Sequence, residues 1–409
     1  MKIGIYLGEG LPNARAGGGF TLQATLLDEL NKVHCSHQFI LFYYGTKTPH
    51  ETENKNLCYI SLQKYESKEK DFLLKKMWLK IVRSCWGFKI KKKYTSLLNL
   101  AVLENNVDLM WFMTPAYEYV EVPYLYTVWD LQHRRQTFFP EVSVTGSTFE
   151  EREKHYQSII PKATYVITGN QVAKEEVIRF YGIPDERVKT LEFPTPNFAL
   201  VPYKNEINVV QKFCLNPPYL FYPAQFWPHK NHMGILHAVK KLKEQHNLYF
   251  SIVFTGADKG NLYYIKEQVD KLRLKRQIFF LGFISIEELV ALYKNAFALI
   301  YPSFFGPNNL PPLEAFALGC SVIAANVAGA AEQLGDAALL FDPKNPVELV
   351  NYIKKLHDDF NLKEQLVKLG LERAKNWTSK DYIQGIIKII DEFEPIRCCW
   401  SSNRRYVHL

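Results

Sequence analysis

The chain has 409 residues, 47% apolar and 22% charged, which is a globular composition with room for two domains of ordinary size and a tail, and it excludes a disordered chain. The net charge is +8, no apolar run reaches the roughly 18 residues that a bilayer span needs, and the start MKIGIYLGEG is too short and polar for a signal peptide, so a cytoplasmic protein is expected. Seven cysteines without a C-x-x-C pair speak against both a disulfide framework and a zinc site.

In chain order, Lys2 to Leu7 predicts a strand, Phe20 to Val33 a helix, and Gln38 to Tyr44 a second strand. Residues 72–103 then carry eight basic side chains and no acidic one. Apolar bodies such as Trp78, Trp86 and Phe88 are interleaved with these charges, which include Lys89, Lys91, Lys92 and Lys93. Two readings stay open: an interface with an anionic membrane surface over residues 72–94, or a core helix with a solvated lysine face. No nucleic-acid motif accompanies the patch, so no nucleic-acid partner is expected.

Further strands are predicted at Val107 to Met113, Tyr124 to Trp129 and Tyr165 to Thr168, and Asn170 caps a helix from Gln171 to Tyr181 that stops at Gly182. The strand runs are apolar without alternation, as parallel strands covered on both faces are. A proline-marked stretch through Pro217 and Pro218 precedes a second alternating series. Its strands fall at Tyr219 to Pro223, Tyr249 to Thr255, Gln277 to Leu281, Phe297 to Tyr301, Ser321 to Ala324 and Ala338 to Phe341. Helix starts are marked by the capping box Ser285 to Glu288 and by Asn345-Pro346 with Glu348. The expected organisation is a first Rossmann-like domain over 1–195, a linker over 196–218, a second Rossmann-like domain over 219–360, and closing helices and a tail over 361–409.

In open α/β sheets, ligands bind beyond the carboxyl ends of the strands, so the loops there carry the chemistry. Gly17-Gly18-Gly19, just before a helix, lets backbone N–H groups approach an anion, though such glycine runs are as often plain turns. Lys230, at the mouth of a helix after Tyr222 to His229, can neutralise a diphosphate. The loop from Tyr301 to Leu313 ends on a helix bearing Glu314, whose carboxylate either caps that helix or accepts from ribose hydroxyls.

On these residues the chain resembles the GT-B-fold glycosyltransferases of group 1, also called family 4, over residues 1 to about 395. The likeness is carried by Pro302 through Leu313-Glu314-Ala315 to Gly319-Cys320, by Gly335 to Pro343, and by Thr127 to His133 with Phe139-Pro140. The resemblance implies an α/β fold of two tandem Rossmann-like domains with parallel sheets facing across a cleft, ending in a helical C-terminal segment. It implies sugar transfer from a nucleotide-sugar donor to a glycan or lipid-linked acceptor, with retention of configuration and no metal or other cofactor. The implied donor-binding residues are Gly18, Gly19, Gln225, His229, Lys230, Asn308, Asn309, Leu310 and Glu314. Asp130, His133 and Lys230 are the implied catalytic group, with Asp130 and His133 placing the acceptor hydroxyl.

The chain departs from the family pattern at three positions: Gly306 where a Glu is usual, Gln225 where an Arg is usual, and Trp129 where a His is usual. A rebuilt site and a lost activity are the two readings of those departures. A nucleotide-sugar epimerase of the same architecture and a non-catalytic binding subunit are the rival functions.

Overall fold

The computed structural model describes residues 1–8, 17–45, 52, 54–66, 96–144, 148–203 and 207–401. The basic stretch 72–94 therefore lies outside the described residues. Among those described, thirteen strands form two wholly parallel sheets. The first contains β1 (Lys2–Tyr6), β2 (Gln38–Tyr43), β3 (Leu57–Ser61), β4 (Leu109–Phe112), β5 (Tyr124–Val128), β6 (Tyr165–Thr168) and β7 (Val188–Thr190), in the order β3-β2-β1-β4-β5-β6-β7. The second contains β8 (Tyr219–Pro223), β9 (Ser251–Thr255), β10 (Ile278–Phe280), β11 (Ala298–Tyr301), β12 (Val322–Ala325) and β13 (Ala338–Phe341), in the order β10-β9-β8-β11-β12-β13. Two doubly wound domains in tandem are thus the architecture, as the alternating sequence pattern requires.

The central strands are buried along nearly their whole length, and their boundaries match the apolar runs to within about two residues. β3 and β7 were not expected. Both are edge strands with half-exposed residues, the three-residue β7 including Lys189, so neither needs a continuous apolar run; pairing with a formed neighbour specifies them. The first helix begins at Gly18 rather than Phe20, because Gly17 takes φ 124° as its N-cap and lets the chain turn two residues earlier.

Each face of the first sheet has its own core, and one of them is completed from the far end of the chain. In the helix Ser379–Arg397, the residues Tyr382, Ile383, Ile386, Ile389, Ile390 and Phe393 form one apolar stripe, spaced so that they share a face, and pack with Ile3, Leu26, Leu109 and Trp111. Burying each is worth about 1.5–3 kcal/mol. Asp391 and Glu392 of that helix meet His37 (2.9 Å) and Lys189 (2.7 Å), and Arg397 meets Asp108 (2.8 Å). The preceding helix, Phe360–Asn376, stays on the second domain, where Gly370 lets it close on Phe316: a Cβ there would lie 2.7 Å from the ring. The chain therefore crosses back between these two helices and ties the domains together. No helix of the described residues is long and apolar enough to cross a membrane.

Candidate functional site

In each sheet the strand order reverses beside its first strand, between β1 and β4 and between β8 and β11. The carboxyl ends at these two switch points face one interdomain cleft of about 470 Å³. It is lined by Gly18, Gly19 and Asp130 from the first domain and by Gln225, His229, Lys230, Asn308, Asn309, Leu310 and Glu314 from the second. Of the candidate residues, His133 alone is not brought there.

His133 is fully buried, with its ring stacked on Tyr156 (5.4 Å between centroids) and Nε2 3.2 Å from Glu153 Oε2. Burial holds its pKa below the ordinary value. The short helix Gln132–Arg135 turns it inward, toward the helix Phe149–Ile159, so it has no path to an acceptor and serves packing instead. Asp130 remains at the lip, where its Oδ1 accepts from the Gln132 amide (3.0 Å), a local turn that orients the carboxylate.

Lys230 ends the turn Pro228–Lys230, and Asn231, in left-handed conformation, caps the helix His232–His246. Asn231 Nδ2 also donates to the carbonyls of Pro302 and Pro343 (3.1 Å each), fixing that turn to the loop after β11. The Lys230 ammonium donates to Tyr301 Oη (3.0 Å), and Tyr301 donates to Asn309 Oδ1 (3.0 Å). Asn309 Nδ2 closes the chain on the Gly306 carbonyl (2.6 Å). Among the described residues no carboxylate pairs with Lys230, so its charge is available to an anion in the cleft.

Glu314 lies in the helix Leu310–Ala317 and is 6% exposed. Tyr293 Oη donates to its Oε2 (2.6 Å), which leaves Oε1 to accept from a ligand hydroxyl. Burial raises its pKa to about 7, although the Tyr293 bond works the other way. The helix start is a weak anion site, because Pro311 and Pro312 have no N–H and only Leu310 donates in that first turn. The Leu310 side chain instead packs into the first domain's core.

The three departures from the family pattern interlock with the glycines around them. A Cβ on Gly306, at φ 138°, would fall 2.3 Å from Asn309 Oδ1, so the position that holds Asn309 admits no side chain at 306. A Cβ on Gly17 would lie 3.0 Å from Gln225 Nε2, and one on Gly19 2.3 Å from the Trp129 indole. Asn308 likewise occupies the space over Gly169.

Sequence reasoning missed Tyr301, Tyr293 and Glu141. The first two look like ordinary strand and helix aromatics. Glu141, although it follows the noted Phe139-Pro140, meets His229 only across 88 residues of chain.

Residues 204–373 match the family described as glycosyl transferases group 1. The second domain is a group 1 glycosyltransferase domain. The chain is 27% identical over 228 residues to O-antigen chain mannosyltransferase B of Escherichia coli, an alignment that spans 55% of this chain and 60% of that relative's own length. The crystal structure of Anabaena HepE in complex with UDP and glucose superposes with a TM-score of 0.68 at 15% identity, covering 96% of this chain and all of that one. Sucrose-phosphate synthase from Thermosynechococcus elongatus gives 0.69 at 17% identity, covering 98% and all. Two Rossmann-like domains facing across a cleft, the GT-B arrangement, are the fold of this chain.

Proposed function

We propose that the chain is a glycosyltransferase that moves a hexosyl or deoxyhexosyl group, mannosyl in the first instance, from a nucleotide sugar to a glycan or lipid-linked acceptor. The observation that carries this reading is Lys230: an ammonium in the interdomain cleft with no carboxylate partner among the described residues, in the same cavity as the buried Glu314. One ligand bearing a diphosphate and a ribose satisfies both. The O-antigen mannosyltransferase among the relatives supports a mannosyl donor and a growing sugar chain as acceptor. The HepE complex with UDP and glucose supports a nucleotide sugar in this fold.

As the bond from the anomeric carbon to the phosphate breaks, charge builds on the leaving diphosphate. Lys230, the Leu310 amide and the helix start at Gly18 and Gly19 are fixed positive groups for it, and on that ground we read the reaction as metal-independent. Retention of configuration is inferred from the family resemblance, with Asp130 on the first-domain lip orienting the acceptor hydroxyl. The interlocked Gly306, Gln225 and Trp129 support a rebuilt site over a lost one.

A thermal-shift panel of nucleoside diphosphates and their sugars identifies the donor, since a ligand that binds only the folded state raises its stability. Product analysis with and without lipid-linked glycan extracts follows. A new glycosidic product that requires the acceptor supports the proposal. A changed sugar from donor alone means an epimerase, and binding without turnover means a non-catalytic subunit.

A further inference from the structure

Glu141 belongs to the first domain, on the short helix Pro140–Ser143, and its side chain is 3% exposed. Its Oε1 is bonded to His229 Nδ1 of the second domain and accepts from Gln132 Nε2 (3.4 Å). An ionised carboxylate only accepts, so His229 donates from Nδ1, and in a neutral imidazole Nε2 then carries the lone pair. His229 lines the cleft next to Lys230 and Asp130, and its Nε2 has no hydrogen-bond partner among the described residues. Phe139 packs edge-on against the ring (6.2 Å), and the backbone is held where the His229 carbonyl accepts from the Phe304 amide (2.8 Å).

We propose that Glu141 and His229 form a proton-accepting dyad assembled across the domain interface, with His229 Nε2 taking the proton of the acceptor hydroxyl. This rests on the glycosyl-transfer reading above. The acceptor O–H breaks toward Nε2 while its oxygen bonds to the anomeric carbon, and the bond to the diphosphate breaks with its electron pair leaving on the phosphate oxygen. The imidazolium then returns the proton to that departing oxygen. Because His229 adjoins Lys230, this base lies on the leaving group's side of the sugar, as retention requires. Glu141 is a positioning residue, and the dyad exists only while the two domains are closed.

The surrounding charges agree with these roles. For His229, burial first and the Lys230 charge second lower the pKa, against the opposing effects of Glu141 and Asp130, so the ring is neutral at pH 7. For Glu141, burial works upward, but the hydrogen bonds from His229 and Gln132 outweigh it and the pKa is lowered. Arg152, which reaches the Glu141 carbonyl (3.5 Å), is a further charge beside this pair.

The test follows nucleoside diphosphate release from saturating GDP-mannose or UDP-glucose, with lipid-linked glycan extract as acceptor, against pH, for the unmodified chain and for H229N, E141Q and E141D, with ¹⁵N NMR of the labelled imidazole in parallel. The expected result is a rate that falls in acid with an apparent pKa below about 6.5, the ordinary histidine value. H229N loses about 100-fold or more in kcat, within the range of general-base catalysis, with little change in the donor KM, and the acid limb disappears. E141Q moves the limb to lower pH, since a carboxylate that favours imidazolium has gone, and E141D restores part of both rate and limb. NMR shows the Nδ1–H tautomer of His229. Full activity with an unchanged acid limb in H229N, or an Nε2–H tautomer, overturns the proposal. If the unmodified chain releases no diphosphate, with acceptor present, from either of these donors or from any donor that the thermal-shift panel shows to bind, the transferase reading fails, and the proposed chemistry of the dyad fails with it, whatever tautomer the NMR shows.

Discussion

The indole of Trp129 lies so close over Gly19 that a Cβ at residue 19 would sit 2.3 Å from the ring. The aromatic side chain that departs from the family pattern and the glycine turn of the first loop are therefore one packed unit, although 110 positions separate them in the chain. Gly19→Ala should destabilise the protein by about 1–3 kcal/mol through overpacking. In a Trp129→Ala background the same change should be neutral or stabilising by up to about 1 kcal/mol, because alanine is the better helix residue at that first-turn position. Denaturant unfolding of the four variants measures the coupling, and additive effects would show that the two residues do not touch.

Donor binding should depend on the charge of Glu314. Its folded pKa, raised to about 7 against an ordinary value near 4.5, means that the neutral acid is the form folding prefers. The stability from this group is fully present below about pH 4.5 and is lost as pH rises through 7. The ionised carboxylate is the stronger acceptor for ribose hydroxyls, so nucleotide affinity should rise from pH 6 to pH 8, and Glu314→Gln should flatten that slope. Calorimetry across the pH range decides it, and an equal slope in the variant removes Glu314 from the ribose site.

Lys230→Ala should lower kcat by about 100-fold and donor affinity by much less, because the ammonium matters most as charge develops on the phosphate. Tyr301→Phe keeps the ammonium and removes only the hydroxyl that orients it, so its loss should be several-fold smaller. Steady-state kinetics on the donor found in the thermal-shift panel checks both, and normal turnover in Lys230→Ala would make it a bystander.

The last helix should be essential to the first domain. Ile386→Ala removes a fully buried side chain from the core that also holds Ile3 and Trp111, and it should cost about 2–5 kcal/mol. A substitution on the exposed side of the same helix, Lys388→Ala, should stay within about 0.5 kcal/mol. Equal midpoints for the two variants would contradict the packing described above.

The basic stretch 72–94 makes its own prediction from sequence. Neutralising Lys89, Lys91, Lys92 and Lys93 should weaken binding to anionic vesicles by about 1 kcal/mol per charge, and added salt should do the same. Sedimentation that fails to distinguish anionic from neutral vesicles for the unmodified chain would leave this run as a solvated face.

The alternation of unbroken apolar runs with amphipathic stretches was enough to read two parallel α/β domains and most central strands to within about two residues, because a strand buried on both faces must be apolar along its length. The loops that follow those strands were legible for the same reason, and they do line one cleft. Helix caps such as Asn170, Ser285 and Asn345 were local enough to be seen directly. What depended on the folded chain is every relationship between distant segments. The burial of His133 against Tyr156, the hold of Glu141 on His229, Trp129 filling the space over Gly19, and the return of Ser379–Arg397 to the first sheet all belong to that class. A local pattern records which side chains must leave water. Which buried groups then meet is set by how distant segments pack within and between the two domains, and that leaves no mark on any single stretch of sequence.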